Sequence, residues 1–283
     1  MNAPGSAIVL AGGRSSRLGG VPKALLFTGQ RVPLVRRVVD AVLERGTAPE
    51  AVVVVGPEEL ASQLPRSVRL VQERPRFSGP AAAIAAGARA LREAGPVGTR
   101  AEPHTVAHAG PPAWTLLLSC DLADPAAALA ALLREGLPGS PAPEAAPSGR
   151  DLHGQPREAG QSRRAGENGA GGNAQTTPGD GPRDMLVAFT DRPQPLVSAV
   201  RTAALHAVTA GPADAFADAP VRALTQRLRM TTVDVPEAAI RDVDTWDDVQ
   251  REGLLTRDAA GRFVPAVRPP APPPEHPQAP RTL

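Results

Sequence analysis

Short apolar runs alternate along the chain with stretches in which apolar residues return every three or four positions. Runs of the first kind lie at Ala7 to Leu10, in "AVVVVG" from Ala51, at Val68 to Val71, at Trp114 to Ser119 and in "MLVAF" from Met185. A continuous apolar run between turn-forming residues suits a strand covered on both faces, as in a parallel sheet. Between the first two runs, Leu34, Val35, Val38, Val39, Val42 and Leu43 repeat at helical spacing, with Arg36, Arg37, Asp40 and Glu44 on the other face. "GPAAAIAAGARALREAG" is an alanine-rich helix whose small side chains permit close packing on a sheet. Further helices are predicted from about Pro125 to Arg134, from about Leu196 to Val208, at "VRALTQRL" and near "TWDDVQRE", with a strand at "TTVDV". Strand and helix in alternation predict an α/β fold of three layers, helix on sheet on helix, around a mostly parallel central sheet.

Two stretches break the pattern. From about 136 to 183 the chain is rich in Gly, Pro, Ala and Ser and nearly devoid of large apolar residues. Such a segment buries too little to offset its ordering entropy, so a disordered insertion is expected there. From Pro265 the sequence "PAVRPPAPPPEHPQAP" is proline-rich and at most extended. The organisation expected is one domain over 1–264, interrupted by the insertion, and a disordered tail over 265–283.

Composition narrows the function classes. Lys and Arg number 31 against 29 acidic residues, and the aromatic residues are five Phe and two Trp with no Tyr. A nucleic-acid groove calls for a clustered basic excess with aromatic stacking platforms, so no nucleic-acid partner is expected. Cys120 is the only cysteine and no long apolar span occurs, which predicts a cytoplasmic protein without a membrane segment.

Chemistry concentrates in "VLAGGRSSRLGGVPKALL", residues 9 to 26. The loop follows the first strand, where ligands of α/β sheets collect beyond the carboxyl ends. Gly12 and Gly13 let the backbone approach a phosphate, and successive amides in such a turn form an anion-binding nest. Arg14, Arg17 and Lys23 supply positive charge, a guanidinium spanning two phosphate oxygens and an ammonium acting as a compact point charge. The ligand predicted is a nucleoside triphosphate. Neither G-x-G-x-x-G nor G-x-x-x-x-G-K-[ST] is written here, since Ala24 follows Lys23. A triphosphate attacked at its α-phosphorus calls for Mg²⁺, which uses one or two protein carboxylates. Asp121, ending the strand "WTLLLSCD", is one candidate; Asp242 and Asp244 alternate along an extended stretch and share a face, so one of them is expected to be the second. Asp247 and Asp248 suit the first turn of the last helix. Cys120 reads as a small buried residue, and His104, His108 and His153 as loop residues, so no zinc site is expected.

The whole string "LAGGRSSRLGGVPKALL" closely resembles the signature of the MobA-like nucleotidyltransferases, the family of molybdenum cofactor guanylyltransferase. The resemblance continues, in the family's order, through "SGPAAAIAAG", "LLLSCDL", "RPQPLVSAVRTAAL" and "RDVDTWDDV". Pro22, Ala123 and Trp246 depart from the family pattern, and "VQERP" lacks the Asp expected upstream of the Gly-Pro motif. The resemblance implies a Rossmann-like nucleotidyltransferase fold and Mg²⁺-dependent transfer of a nucleoside monophosphate, GMP from GTP, onto a phosphate-bearing acceptor, molybdopterin, with release of pyrophosphate. In that scheme Gly12, Gly13 and Arg14 hold the triphosphate, Leu10 and Ala11 border the base, Arg17 and Lys23 offset developing charge, and Asp121 with Asp244 or Asp242 holds the metal. A cytidylyltransferase or sugar-phosphate nucleotidyltransferase of the same fold, and a non-catalytic nucleotide-binding protein, are the alternatives. A nucleotide-sugar glycosyltransferase would place Asp-x-Asp after the central strand, where this chain has "CDLAD".

Overall fold

In the computed structural model, which describes residues 4–95, 114–134, 136–137, 183–212 and 215–269, the first strand is Ser6–Leu10 (β1), buried at every position. Val52–Val55 (β2) and Arg69–Val71 (β3) flank it on one side, and Trp114–Ser119 (β4) on the other. Beyond β4 the sheet continues through Pro193–Arg201 (β6), Met185–Phe189 (β5) and Met230–Asp234 (β7), giving the order β3-β2-β1-β4-β6-β5-β7. Six strands point one way; β6 alone runs against its neighbours β4 and β5. The fold is α/β with a mostly parallel central sheet.

Helices cover both faces, which is why the strands read as continuous apolar runs. Ala7 and Val9 of β1 pack with Leu34–Glu44 (α1) and Pro125–Leu132 (α3), whereas Ile8 and Leu10 face Gly79–Ala94 (α2) on the other side. The alanines of α2 allow a short helix-to-sheet distance, and at Gly87 the contact is so close that a Cβ would lie 2.7 Å from Ile8 Cγ2. No helix among the described residues is long and apolar enough to cross a membrane.

A third, smaller core holds the opening loop in place. Leu18, Leu26 and Leu34 pack with Val243, Val249, Leu254 and Ala266. Val249 belongs to the helix Trp246–Arg251 (designated α7, after the short helices Thr202–Val208, α4, Arg222–Thr225, α5, and Glu237–Ile240, α6) and Val243 precedes it, while Leu254 and Ala266 flank a hairpin of Leu255–Arg257 (β8) and Phe263–Pro265 (β9). The hairpin is tied to the loop's exit by Phe27 and Leu255, each donating its N–H to the other's carbonyl at 2.9 and 2.7 Å. Phe27 and Phe263 meet edge to face at 5.0 Å, and the Arg257 guanidinium lies 4.3 Å from the Phe263 ring centre. The chain then runs back to the loop: a Cβ on Gly19 would touch the Pro269 ring at 3.8 Å.

Three features differ from the sequence expectation. The helix predicted from Leu196 to Val208 is a strand as far as Arg201, and only α4 is helical. Val197 and Ala199 serve one core and Val200 the other, so burial on both faces removed the alternation that marks a strand. The β8–β9 hairpin was not anticipated, its strands being three residues each. The proline-rich stretch starting at Pro265 begins inside the fold, with Pro265 in β9 and Ala266 buried. Most of the predicted insertion, together with His104, His108 and His153, lies outside the described residues.

Candidate active site

A cleft of about 590 Å³ opens beyond the carboxyl ends of β1 to β4. Its walls are the opening loop, Gly56 and Pro57 after β2, Gln72 to Phe77 around the end of β3, Ser119 to Asp121 at the end of β4, and Asp244. The loop bares its backbone here. The amides of Gly12, Gly13, Arg14 and Ser15 have no hydrogen-bond partner among the described residues, and Gly13 sits at φ +132°, a conformation that L side chains rarely adopt. Unpaired amides in a row beside a cleft form a concave donor surface for an anion. Arg14 reaches over the Phe77 ring from one side of this surface and Arg76 from another, at 5.6 and 4.7 Å.

Opposite the amides, four side chains form a charge cluster. Lys23 Nζ donates to Asp121 Oδ2 at 2.9 Å and to Asp244 Oδ1. Arg17 Nη1 donates to Asp244 Oδ2 at 3.2 Å, and the Ser119 hydroxyl donates to Asp121 Oδ1. Burial disfavours the Lys23 ammonium, but Asp121 and Asp244 outweigh it and hold the pKa above the ordinary lysine value. Asp121 is itself buried. Burial pushes the Cys120 thiol well up and the neighbouring Asp121 charge adds to this, so the thiol stays protonated. Of the chain's 31 lysines and arginines, Lys23 is the only lysine.

Asp244 reaches the cluster although 123 positions separate it from Asp121, because the stretch before it is paired to the end of β4. Ala123 N–H donates to Arg241 O at 2.9 Å, Leu122 bridges Asp242, and Val243 N–H donates to Asp121 O at 3.1 Å. The capping box of α7 then fixes the next turn: Asp248 accepts from the Asp244 and Thr245 amides at 3.2 and 2.9 Å, and Thr245 Oγ1 accepts from Asp248 N–H.

Of the residues singled out in the sequence, Leu10, Ala11, Gly12, Gly13, Arg14, Arg17, Lys23, Asp121 and Asp244 all line this cleft. Asp242 is not among the residues that line it. Asp242 pairs with Leu122, and Asp244 enters the cap of α7. Asp242 instead lines a neighbouring cavity of about 600 Å³ with Arg192, Gln194 and Arg241. Although solvent reaches its outer edge, the surrounding protein strips part of its hydration, and the Asp121 and Asp244 charges add to that, so its carboxyl is pushed up to about 7.

Glu73 was missed. It is 6% exposed at the cleft wall; its Oε1 accepts the Phe77 amide at 2.9 Å, and its Oε2 is shielded from solvent with no hydrogen-bond partner among the described residues. A Cβ on Gly12 would stand 3.9 Å from either oxygen, which places the carboxylate behind the loop. The available signal was an acidic residue two positions past the end of β3, at the edge where ligands collect.

The donor set suits a hard divalent cation. No group of three or more His, Cys, Asp or Glu gathers among the described residues, but Asp121 and Asp244 converge on one cation, the Lys23 ammonium, which stands between their oxygens. Two carboxylates are as many as Mg²⁺ commonly takes from a protein when phosphates supply further oxygens.

Comparison with known proteins places the cleft in a family. The profile of the MobA-like NTP transferase domain matches residues 7–227. The chain belongs to the MobA-like NTP transferase family. No curated protein matches it. Among solved structures, it is similar to molybdopterin-guanine dinucleotide biosynthesis protein A from Archaeoglobus fulgidus, at 16% identity and a TM-score of 0.50 over 87% of this chain and 96% of that one. It is likewise similar to the inositol-1-phosphate CTP transferase from T. maritima, at 14% identity and a TM-score of 0.50 over 87% and 92%. These likenesses establish the nucleotidyltransferase fold. Within the MobA-like span fall the opening loop, Glu73 and Asp121; Asp242, Asp244 and most of the third core lie beyond it.

Proposed function

We propose that this MobA-like protein transfers GMP from GTP onto a phosphate-bearing acceptor, molybdopterin, with release of pyrophosphate. The observation that carries the reading is the convergence of the free loop amides, Arg17, Lys23 and the Asp121–Asp244 pair on one cleft. The triphosphate lies on the amides of Gly12 to Ser15, with Arg14 at its edge and Leu10 and Ala11 bordering the base. Lys23 and Arg17 offset charge as the bond between the α- and β-phosphates breaks and pyrophosphate departs with the electron pair. Asp121 and Asp244 would hold Mg²⁺, which supplies further charge neutralisation when bound. The acceptor's phosphate oxygen attacks the α-phosphorus; it is already ionised near neutral pH, so the protein's task is alignment rather than proton removal. The cavity at Asp242, next to the carboxylate pair and lined by Arg192 and Arg241, gives the acceptor a place to bind outside the triphosphate cleft.

Glu73 favours guanine among the bases. A buried carboxylate oxygen without a donor matches the paired N1–H and N2–H₂ donors of guanine, whereas cytosine offers only its N4 amino group. The test is to supply Mg²⁺ with GTP, ATP, CTP or UTP and molybdopterin, following pyrophosphate and product mass. Transfer from GTP is expected, and Asp121→Ala should lower kcat by at least about 100-fold with an unchanged circular dichroism spectrum. Transfer from CTP in preference to GTP would make the protein a cytidylyltransferase, and GTP binding without pyrophosphate release would make it a nucleotide-binding protein.

A further inference from the structure

We propose that Lys23 is the resident counter-ion of the Asp121–Asp244 pair, barring a divalent cation from the nucleotide-free protein and yielding the pair only when phosphates take the ammonium. The second half of this inference rests on the nucleotide reading above; the first half stands on the cluster alone.

Every oxygen of the two carboxylates already has a donor. Asp121 Oδ1 accepts from Ser119 and Oδ2 from Lys23, while Asp244 Oδ1 accepts from Lys23 and Oδ2 from Arg17. Within these four side chains the charges cancel, two carboxylates facing one ammonium and one guanidinium, and Asp242 is a further carboxyl near the pair. A dication approaching this cluster meets no net attraction from these four groups and must displace a partly buried, charge-assisted partner. The two cations hold their places unequally: the Lys23 side chain is 19% exposed and the Arg17 side chain 72%, so Lys23 is the better shielded of the two.

The same geometry gives Lys23 somewhere to go. It shares one cleft with the unpartnered amides of Gly12 to Ser15, so a triphosphate seated on them brings new oxygens towards the ammonium. Its backbone is fixed, because the turn Lys23–Leu25 is followed by Leu26, fully buried in the third core, and by Phe27, paired to Leu255. Only the four-carbon stem need swing. Release of the pair then coincides with arrival of the nucleotide, and each ligand raises the affinity for the other by the same factor.

The experiment titrates Mn²⁺, a paramagnetic hard cation, into the full-length protein without nucleotide and measures free Mn²⁺ by electron paramagnetic resonance. Wild type is expected to show no site tighter than millimolar. Lys23→Gln should gain one site at least tenfold tighter, which Lys23→Gln combined with Asp121→Asn loses, and Mn²⁺ should raise the melting temperature of Lys23→Gln but not of wild type. Because Lys23 is the only lysine, wild-type protein acetylated there, with the modification verified by peptide mass, carries a neutral side chain without refolding and should open the same site. Equal Mn²⁺ affinity in wild type and in both neutralised forms overturns the proposal, as does absence of a new site in acetylated protein that keeps its native spectrum. In a parallel arm GTP, ATP, CTP and UTP are each titrated alone: failure of all four to bind would remove the nucleotide reading, while the Mn²⁺ comparison would still decide the role of Lys23 as counter-ion.

Discussion

Glu73 illustrates how much a single side chain can carry. Leaving one carboxylate oxygen buried without a donor costs on the order of 1–3 kcal/mol, which a donor from water or a ligand would recover. Glu73→Gln keeps the shape and the Phe77 contact but replaces an acceptor with an amide that can turn a donor towards the base. We expect GTP affinity to fall by roughly tenfold or more, and the preference for GTP over ITP, which lacks the 2-amino group, to shrink towards unity. Isothermal titration of both nucleotides against wild type and variant checks this; an unchanged GTP-to-ITP ratio would remove Glu73 from base recognition. The residue types at Gly12, Gly13, Arg14, Arg17, Lys23 and Asp121 were legible in the sequence because their chemistry is unusual for their positions, with bare backbone, concentrated cations and a strand-end carboxylate. Glu73 was not legible, since an acidic residue after a strand is ordinary until its burial and missing partner are known.

Among the elements, α7 does the most for the site relative to its six residues. Its capping box fixes the turn that presents Asp244, and Asp248 is its pivot. Partial burial works against the Asp248 charge, but the Thr245 hydroxyl and amide, with Arg251 and the Asp244 amide, outweigh it and hold the carboxyl down at about 2. A carboxyl depressed on folding contributes stability that is present above the ordinary carboxylate range, near pH 4, and is lost as pH falls towards 2. Asp248→Asn should therefore destabilise the protein by about 1–2 kcal/mol at pH 7, and the gap to wild type should close as pH drops below 4. Urea melts across that range measure it; a gap independent of pH would assign the loss to packing instead. Acidic residues at the start of this helix were foreseen from the macrodipole, and the box itself is written in the sequence as Thr245 followed three residues later by Asp248. The nature of β6 was not legible, because Leu196, Val197 and Val200 satisfy a helical repeat and a doubly covered strand equally well, and only the open edge of β4 decides between them.

At the scale of the whole molecule, the cleft is closed by parts of the chain far apart in sequence, and the third core joins them. Leu18 and Leu26 beneath the loop meet Val243, Val249 and Leu254 beneath Asp244, so packing in this core sets how Lys23 faces its carboxylates. Leu254→Ala should cost about 2–5 kcal/mol in a urea melt and raise the KM for GTP, because the cavity it leaves loosens both supports together. A loss of stability with KM unchanged would uncouple the core from the loop. The layered α/β architecture was readable from the alternation of apolar runs and helical repeats. The meeting of residues 17 to 23 with residue 244 was not, since nothing local in either segment specifies a contact across more than two hundred positions. The return of the chain to Gly19 has a practical corollary. Pro269 leans on the loop beside the cleft mouth, whereas Gly5 hydrogen-bonds Trp114 at the far edge of the sheet, where β1 and β4 begin. A fluorophore attached at residue 269 therefore sits next to the opening loop, and one attached at residue 5 sits at the opposite end of the strands, so the two placements make a reporter and its own control.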